Sequence, residues 1–238
     1  VPKVGQMSMQ DLTDGVDIVD EEDIGMTTVD LTASEVGAKI ILTDKLVRQS
    51  AENVFSMIGR QLGDGMARKK DVDVLSLYSG FSTDFGAAGR SMTLANVASA
   101  IAYAKGKKFG SNVYIVQHPF AVFDIANTAV TASTTYPVPV GWSADLLGNF
   151  FSGLRPINGV PIFEDGNISI DSSDDAVGVI ADRSALAVLK SVDMNKEQDR
   201  DISLRATEIV ITADYGVFEL DDSKGVALTL DAGTPASA

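Results

Sequence analysis

Residues 27–44 have the sequence TTVDLTASEVGAKIILTD, and this stretch decides the fold of the chain. Apolar and polar side chains alternate on both sides of a turn signal at residues 33–37, which predicts two strands joined as a β-hairpin. An isolated hairpin is marginally stable in water and needs a further surface to cover its apolar face. We therefore expect residues 27–43 to need contact with a neighbouring subunit.

A long helix is predicted directly after this hairpin, from Asp44 to about Leu77. Thr43 or Asp44 can cap its first turn, and apolar residues recur at steps of three and four over residues 47–67. A helix of about thirty residues is roughly 45 Å long, which is more than a compact domain of this size needs.

Three glycines in this predicted helix leave two interpretations open. Gly59, Gly63 and Gly65 each cost about 1 kcal/mol relative to alanine in a helix, so the helix could break near residue 63. Alternatively, Gly59 and Gly63 lie one turn apart on one face and would let another backbone approach closely.

The rest of the chain predicts an α+β domain, because short strand and helix patterns follow one another. Predicted helices cover residues 94–106, 119–127 and 184–191, and predicted strands cover residues 113–116, 159–163, 168–170 and 176–181. Alternation at residues 209–214 and 226–231, around a turn at residues 221–225, predicts a long terminal hairpin.

Composition and charge exclude several classes of protein. The formal net charge is −14, from 33 acidic and 19 basic residues, and such a surface repels phosphate backbones, which argues against sequence-specific DNA binding. No run of about 18 apolar residues predicts a membrane span, and no signal peptide pattern is visible. With no cysteine in the chain, disulfides, cysteine nucleophiles and thiolate metal sites are excluded.

Catalytic, cofactor and metal motifs are weak throughout, so we assign no catalytic, cofactor-binding or metal-ligating residue. The one histidine, His118, precedes Pro119 at a predicted strand-to-helix junction and is expected to be a helix-cap or packing residue. The acidic run at residues 171–175 lacks the glycine and terminal glutamate of a calcium loop and is expected to be a turn. Lys105, Lys107 and Lys108 predict a solvated helix end or a subunit contact.

Several short stretches, taken in their order, resemble the major capsid proteins of tailed bacteriophages, which have the Hong Kong-type shell fold. The stretches are GAKIILTDKL at residues 37–46, KDVDVL at 70–75, YIVQHP at 114–119, NGVPI at 158–162, ISLRATE at 202–208 and DYG at 214–216. Each is weak alone, but together they extend over most of the chain.

The resemblance implies a division into five segments. Residues 1–25 would be an N-terminal arm, 26–43 an extended-loop hairpin, 44–91 a peripheral domain with its spine helix, and 92–190 an axial domain. Residues 191–238 would return to complete the peripheral domain with the terminal hairpin. Precursors in this family often lose an N-terminal segment on maturation, which would fit a chain that begins at Val1.

The resemblance also implies a function and partners. The chain would be a structural protein and not an enzyme: pentamers and hexamers would form an icosahedral shell around double-stranded DNA, with possible scaffolding, portal and cementing proteins. It would be part of the virion, assembled in the host cytoplasm, with no membrane partner. The residues expected at subunit interfaces are Val29, Leu31, Lys39, Ile40, Leu42, Arg48 and Arg60.

Cohesion between subunits is expected to be non-covalent. Some relatives cross-link an extended-loop lysine to an asparagine of a neighbour, but Lys39 is the only lysine in the predicted hairpin and no partner asparagine can be assigned. Because Ile40 lies in the predicted interface hairpin, Ile40→Asp is expected to block assembly while leaving the subunit folded.

Two other functions are compatible with the sequence. The same fold would serve an encapsulin-like bacterial compartment that holds cargo enzymes, and nucleic acid inside isolated particles would distinguish the two shells. A soluble α+β enzyme that uses carboxylates would instead be a compact monomer or small oligomer with a pocket, and it leaves the hairpin and long helix unexplained.

Overall fold

The computed structural model describes residues 2–3, 27–50, 53–130 and 159–235. These residues form a three-stranded and a four-stranded sheet with packed helices, together with one short strand pair, which confirms the α+β class. The helices are α1 (Asp44–Gln49), α2 (Val54–Ser76), α3 (Leu94–Gly106) and α4 (Pro119–Val130). The strands are β1 (Pro2–Lys3), β2 (Thr27–Thr28), β3 (Ser34–Thr43), β4 (Val113–Gln117), β5 (Ile162–Glu164), β6 (Asp175–Asp182), β7 (Leu186–Asp201), β8 (Ala206–Glu219) and β9 (Gly225–Asp231). Most of the predicted arm at residues 1–25 lies outside the described residues, except that β1 pairs with β2.

The three-stranded sheet is antiparallel, with β8 in the centre between β3 and β7. Helix α2 packs on one face of this sheet, where Leu62 and Met66 join Leu42, Ile209 and Ile211 in one buried cluster. Residues of alternating positions along β8 are buried in that cluster, as expected for a strand that has one covered face. The opposite face of the sheet carries no helix among the described residues.

The predicted hairpin within residues 27–43 is wrong in its pairing. Its second strand, β3, pairs over its full length with β8, from Ser34 opposite Tyr215 to Thr43 opposite Ala206. The alternation predicted the strand correctly, but alternation does not specify a partner. The pairing with β8 covers ten residues, which residues 27–32 could not match.

The predicted helix from Asp44 to Leu77 is also interrupted. Helix α1 is capped by Thr43, whose Oγ1 accepts a hydrogen bond from the Leu46 amide at 3.4 Å, and ends where Ser50 adopts an extended backbone. Asn53 then starts α2 by accepting from the Ser56 amide at 3.4 Å. Asparagine favours such a cap because its side chain competes for helical amides.

Helix α2 runs without a break through all three glycines. A Cβ built at Gly59, Gly63 or Gly65 would meet no atom within 4 Å, so no described backbone of the same subunit approaches them closely. Of the two interpretations that the sequence left open, the break near residue 63 is therefore wrong.

The four-stranded sheet has the order β5-β4-β6-β9, with β4 and β5 parallel and the other pairs antiparallel. Helices α3 and α4 supply Ile101 and Ile125 to its core, which also contains Ile115, Ile180 and Leu228. A separate, smaller cluster contains Tyr78 and Phe81, just after the end of α2, packed with Val179 of β6, Ala227 of β9 and Leu186 at the start of β7.

The predicted terminal hairpin is wrong, because its two strands belong to different sheets. Strand β8 pairs with β3 and β7, whereas β9 pairs with β6 in the four-stranded sheet. The turn after Asp221 exists, and the Asp221 carboxylate accepts from the Ser223 amide at 3.1 Å. This turn redirects the chain from the three-stranded sheet to the four-stranded sheet. Strand β9 is buried along most of its length there.

The helix predicted at residues 184–191 is a strand instead. Short apolar runs such as ALAVL at residues 185–189 do not separate helix from strand by periodicity alone. Here the run begins β7, which continues to Asp201 and returns as β8 after a turn at residues 202–205. This β7–β8 pair is the long hairpin of the described structure.

The glycine-rich segment at residues 81–90 lies along the outer edge of β9. The Phe85 and Ala87 amides donate to the carbonyls of Ala227 and Thr229 at 2.8 and 3.0 Å. A Cβ at Gly86 would lie 2.1 Å from the Thr229 carbonyl oxygen, so only glycine allows this approach. The edge of the four-stranded sheet is thereby covered.

Candidate subunit interface

The seven residues predicted at subunit interfaces do not form one patch. Val29 and Leu31 are half-buried in the segment between β2 and β3, and Arg48 and Arg60 are exposed on α1 and α2. Lys39 is exposed on the sheet face opposite α2. These five positions remain predictions as interface residues.

Two of the seven residues belong to the core of the subunit. Leu42 is 2% exposed, and Ile40 is half-buried against the same cluster under α2. Leu42 therefore cannot reach a neighbour, and the prediction for it is wrong. Ile40→Asp would place a charge beside the core. We therefore expect this variant to destabilise the subunit, contrary to the prediction from the sequence.

The sheet face opposite α2 carries a surplus of acidic side chains. Glu35 lies opposite Asp214 on the neighbouring strand, and Glu208 lies opposite Asp199. Like charges directly opposite each other destabilise a strand pair. Lys39 partly offsets this, because its Nζ contacts the Glu208 carboxylate at 2.7 Å.

A polar network ties the second half of α2 to the sheet. The Tyr215 hydroxyl donates to Asp73 at 2.6 Å, and Lys69 donates to the same carboxylate at 2.5 Å. Lys70 reaches Asp193 on β7 at 2.7 Å. Burial and the Asp73 carboxylate raise the pKa of Tyr215 to about 12.

The Asp73 carboxyl is held in its charged form by these partners. Burial alone would raise its pKa, but the hydrogen bonds from Lys69 and Tyr215, together with the Lys69 charge, hold the pKa below its ordinary value of 3.8. The residues involved are far apart in the sequence, so no local pattern could have revealed the network.

A second polar contact joins α1 to the tip of the long hairpin. The Arg200 guanidinium contacts both oxygens of Asp44, at 2.8 and 3.3 Å, and the Asp44 amide donates to the Arg205 carbonyl at 2.9 Å. Inside the turn, Asp201 accepts from the amides of Ser203 and Leu204. These contacts fix the hairpin tip on the start of α1.

Exposed apolar side chains mark surfaces that the sequence-based prediction missed. On the long hairpin they are Val188, Val192, Met194, Ile202 and Leu204, on the helices Leu46, Phe55, Met57, Val72 and Phe123, and on β3 and β5 Ile41 and Phe163. Ile202, in the hairpin turn, is 81% exposed, and Leu204 in the same turn is 57% exposed. Neighbouring exposed apolar residues are typical of protein–protein contact surfaces. Residues 202–208 are among the stretches that resemble capsid proteins, but Ile202 was not among the residues predicted at subunit interfaces.

The remaining chemistry-bearing candidates have structural roles. His118 is buried, and its Nδ1 accepts from the Phe120 amide at 3.2 Å at the start of α4, which confirms the predicted cap and packing role. Burial lowers its pKa, an effect that Asp165 partly opposes. The acidic run is a turn in which Asp171 accepts from the Ser173 and Asp175 amides.

The described residues contain no group of three or more potential metal ligands. Among them, no helix is long and apolar enough to cross a membrane. Lys107 lies 5.8 Å from the centre of the Tyr103 ring at the end of α3, which fits a solvated helix end that keeps its charge in water.

Comparison with solved structures identifies the architecture. The capsid of Ralstonia phage GP4 matches 100% of this chain and 85% of its own, with a TM-score of 0.76 and 12% identity. The chain has the Hong Kong-type capsid fold. A structure from Mycobacterium phage Che8 matches 96% of this chain and 82% of its own, with a TM-score of 0.69 and 19% identity.

The same fold is found in an encapsulin. The holo-SrpI encapsulin complex from Synechococcus elongatus matches 87% of this chain and 77% of its own, with a TM-score of 0.62 and 10% identity. No protein-family model and no curated protein sequence matches the chain. At these identities the likeness establishes the fold, and function has to be argued from the chain itself.

Proposed function

We propose that this chain is the major capsid protein of a phage and assembles into an icosahedral shell around double-stranded DNA. The observation that carries this proposal is the match between nearly the whole chain and phage capsid structures. Exposed apolar residues on the long hairpin and on α2 support it, because a subunit that stayed alone would expose them to water.

The proposal keeps the five segments inferred from the resemblance, with a changed interface set. An arm at residues 1–25 and the segment at 26–43 would contact neighbours, and 44–91 with 191–238 would form the peripheral domain. Residues 92–190 would form the axial domain at the centres of pentamers and hexamers. Val29, Leu31, Lys39, Arg48 and Arg60 stay as proposed contacts, and Ile202 with Leu204 joins them. In this scheme β9 lies within residues 191–238 but pairs with β6, which lies within residues 92–190.

Contacts between subunits would be non-covalent, and their affinity would come from a large buried surface area. Lys39 is paired with Glu208, which suits an electrostatic role better than an isopeptide bond. Affinity in such an assembly comes from many moderate contacts over a large buried area, since single exposed ion pairs contribute little.

The charge of the chain suits a container for DNA. A net charge of −14 disfavours adhesion of the genome to the subunit and argues against binding that depends on base sequence. We infer that the protein belongs to the virion and assembles in the host cytoplasm, with scaffolding, portal and cementing proteins as candidate partners.

A bacterial compartment of the encapsulin type is the second candidate, because that fold also matches. The contents of purified particles distinguish the two. Assembly in cells that contain the remaining head proteins should give particles with nuclease-protected DNA. Particles that hold a protein cargo and no DNA would support the compartment instead, and a soluble enzyme would give no particles.

A further inference from the structure

The two edges of the three-stranded sheet differ in how they are protected. Strand β7 carries register irregularities between Lys190 and Asn195, and charged residues fill much of its second half. Bulges and charges are devices that keep an edge strand from pairing with another chain. Strand β3 is a regular ten-residue strand with the sequence SEVGAKIILT. It has no bulge and no proline, and its charged residues are Glu35 and Lys39, so this edge is open to pairing.

An apolar groove runs beside the β3 edge. It lies between β3 and α2 and has a volume of about 340 Å³; its walls include Val36, Ala38, Leu62, Met66 and Ile211. Among the described residues, β3 has no strand on this side. An apolar groove next to a free strand edge is suited to an added strand, since backbone groups supply hydrogen bonds and the groove accepts alternate side chains.

We propose that the occupant of this edge is β3 of a second copy, paired antiparallel about a two-fold axis at Gly37. This register places Val36 opposite Ala38 of the second copy, and Ala38 opposite its Val36. The two grooves then lie side by side, and Val36 and Ala38 of each copy cover the groove of the other copy. The proposal rests on the proposed self-assembly and names the contact through which two subunits meet.

Charge complementarity selects this register. Pairing about Gly37 puts Glu35 opposite Lys39 of the second copy, and Lys39 opposite its Glu35, on the face away from α2. Glu35 already lies opposite Asp214 within its own subunit, and neither carboxylate has a cationic partner among the described residues. Lys39 contacts Glu208 within its own subunit, so in this register its ammonium group would lie between that carboxylate and Glu35 of the second copy.

Gly37 has a separate role inside the subunit. A Cβ at this position would lie 2.8 Å from the Ile211 carbonyl oxygen, so a substitution there would disturb the β3–β8 pairing itself. Tests of the two-fold contact therefore use the positions on either side of Gly37.

Cysteine cross-linking tests the register, because the chain contains no cysteine of its own. Glu35→Cys and Lys39→Cys variants are co-expressed, oxidised in air and separated by non-reducing electrophoresis. The proposal predicts a disulfide-linked dimer in the co-expressed sample. Each variant expressed alone is the matched control, because its two cysteines would be about 13 Å or more apart, beyond the roughly 7 Å between Cα atoms that a disulfide tolerates.

Two outcomes overturn the proposal: a dimer band in either variant alone, or no dimer band in the co-expressed sample. Formation of closed particles is recorded on the same samples by electron microscopy. Particles without the dimer band reject the β3 contact and leave the shell function intact. A dimer band without particles supports the contact and counts against the shell.

Discussion

At the scale of single residues, the polar contacts that hold α1 and α2 on the three-stranded sheet are the least predictable part of the molecule. Asp73 and Tyr215 are 142 positions apart and meet at 2.6 Å, and Arg200 reaches Asp44 across 156 positions. The caps at Thr43 and His118 were predictable from short motifs, because a cap is formed by residues close together in the chain. Long-range polar pairs depend on sheet register, which no single stretch of sequence specifies.

Tyr215→Phe should destabilise the subunit, because it removes a hydrogen bond to a charged acceptor at a buried position. We expect the free energy of unfolding to fall by about 1.5–3 kcal/mol, measured by urea denaturation of the unassembled chain. Tyr78→Phe is the matched control, since this buried tyrosine has no hydrogen-bond partner among the described residues. Equal losses in the two variants would contradict the role of the Asp73 contact.

The same carboxylate predicts a pH dependence. The pKa of Asp73 is lower in the folded subunit than its ordinary value of 3.8, so its contribution to stability is present above that value and is lost as the pH falls through the folded pKa. Asp73→Asn should therefore lose less stability than the parent chain on acidification below about pH 4. Asp71→Asn, an exposed position on α2, is the control and should follow the parent.

At the scale of elements, the positions of strands and helices in the sequence were predicted better than the pairing of the strands. Strands β3, β4, β6, β8 and β9 and helices α3 and α4 follow from periodicity and caps. Both predicted hairpins failed, because adjacent strands went to distant partners. The break between α1 and α2 was signalled by Ser50 and Asn53, but the continuous apolar spacing on either side hid it. The interface prediction failed at Leu42 for a related reason, since an apolar strand face serves a core and a contact equally well.

Gly59→Ala tests the continuity of α2. Because a Cβ at this position meets no atom within 4 Å, alanine should stabilise the subunit by about 0.5–1 kcal/mol through its higher helix propensity. Thermal unfolding of the unassembled chain measures the effect. Gly86→Ala provides the contrast, since its Cβ would collide with the Thr229 carbonyl and should destabilise the chain. A loss of stability in Gly59→Ala would mean that the helix is not regular there.

At the scale of the whole molecule, the exposed apolar surface needs a partner. Ile202→Asp should leave the subunit as stable as the parent chain, because this side chain is 81% exposed, and should reduce the yield of particles. Ile40→Asp is the informative comparison, because a charge beside the α2 core should destabilise the subunit itself. Normal particle yield from Ile202→Asp, measured by sedimentation, would remove the hairpin tip from the proposed interface.

The central claim is that this chain encloses a volume together with its own copies. The most direct measurement is negative-stain electron microscopy of the purified protein, combined with light scattering to give the mass of the species in solution. We expect closed shells of uniform diameter built from the 25.1 kDa chain. A monodisperse species with the mass of one chain under all assembly conditions would contradict it.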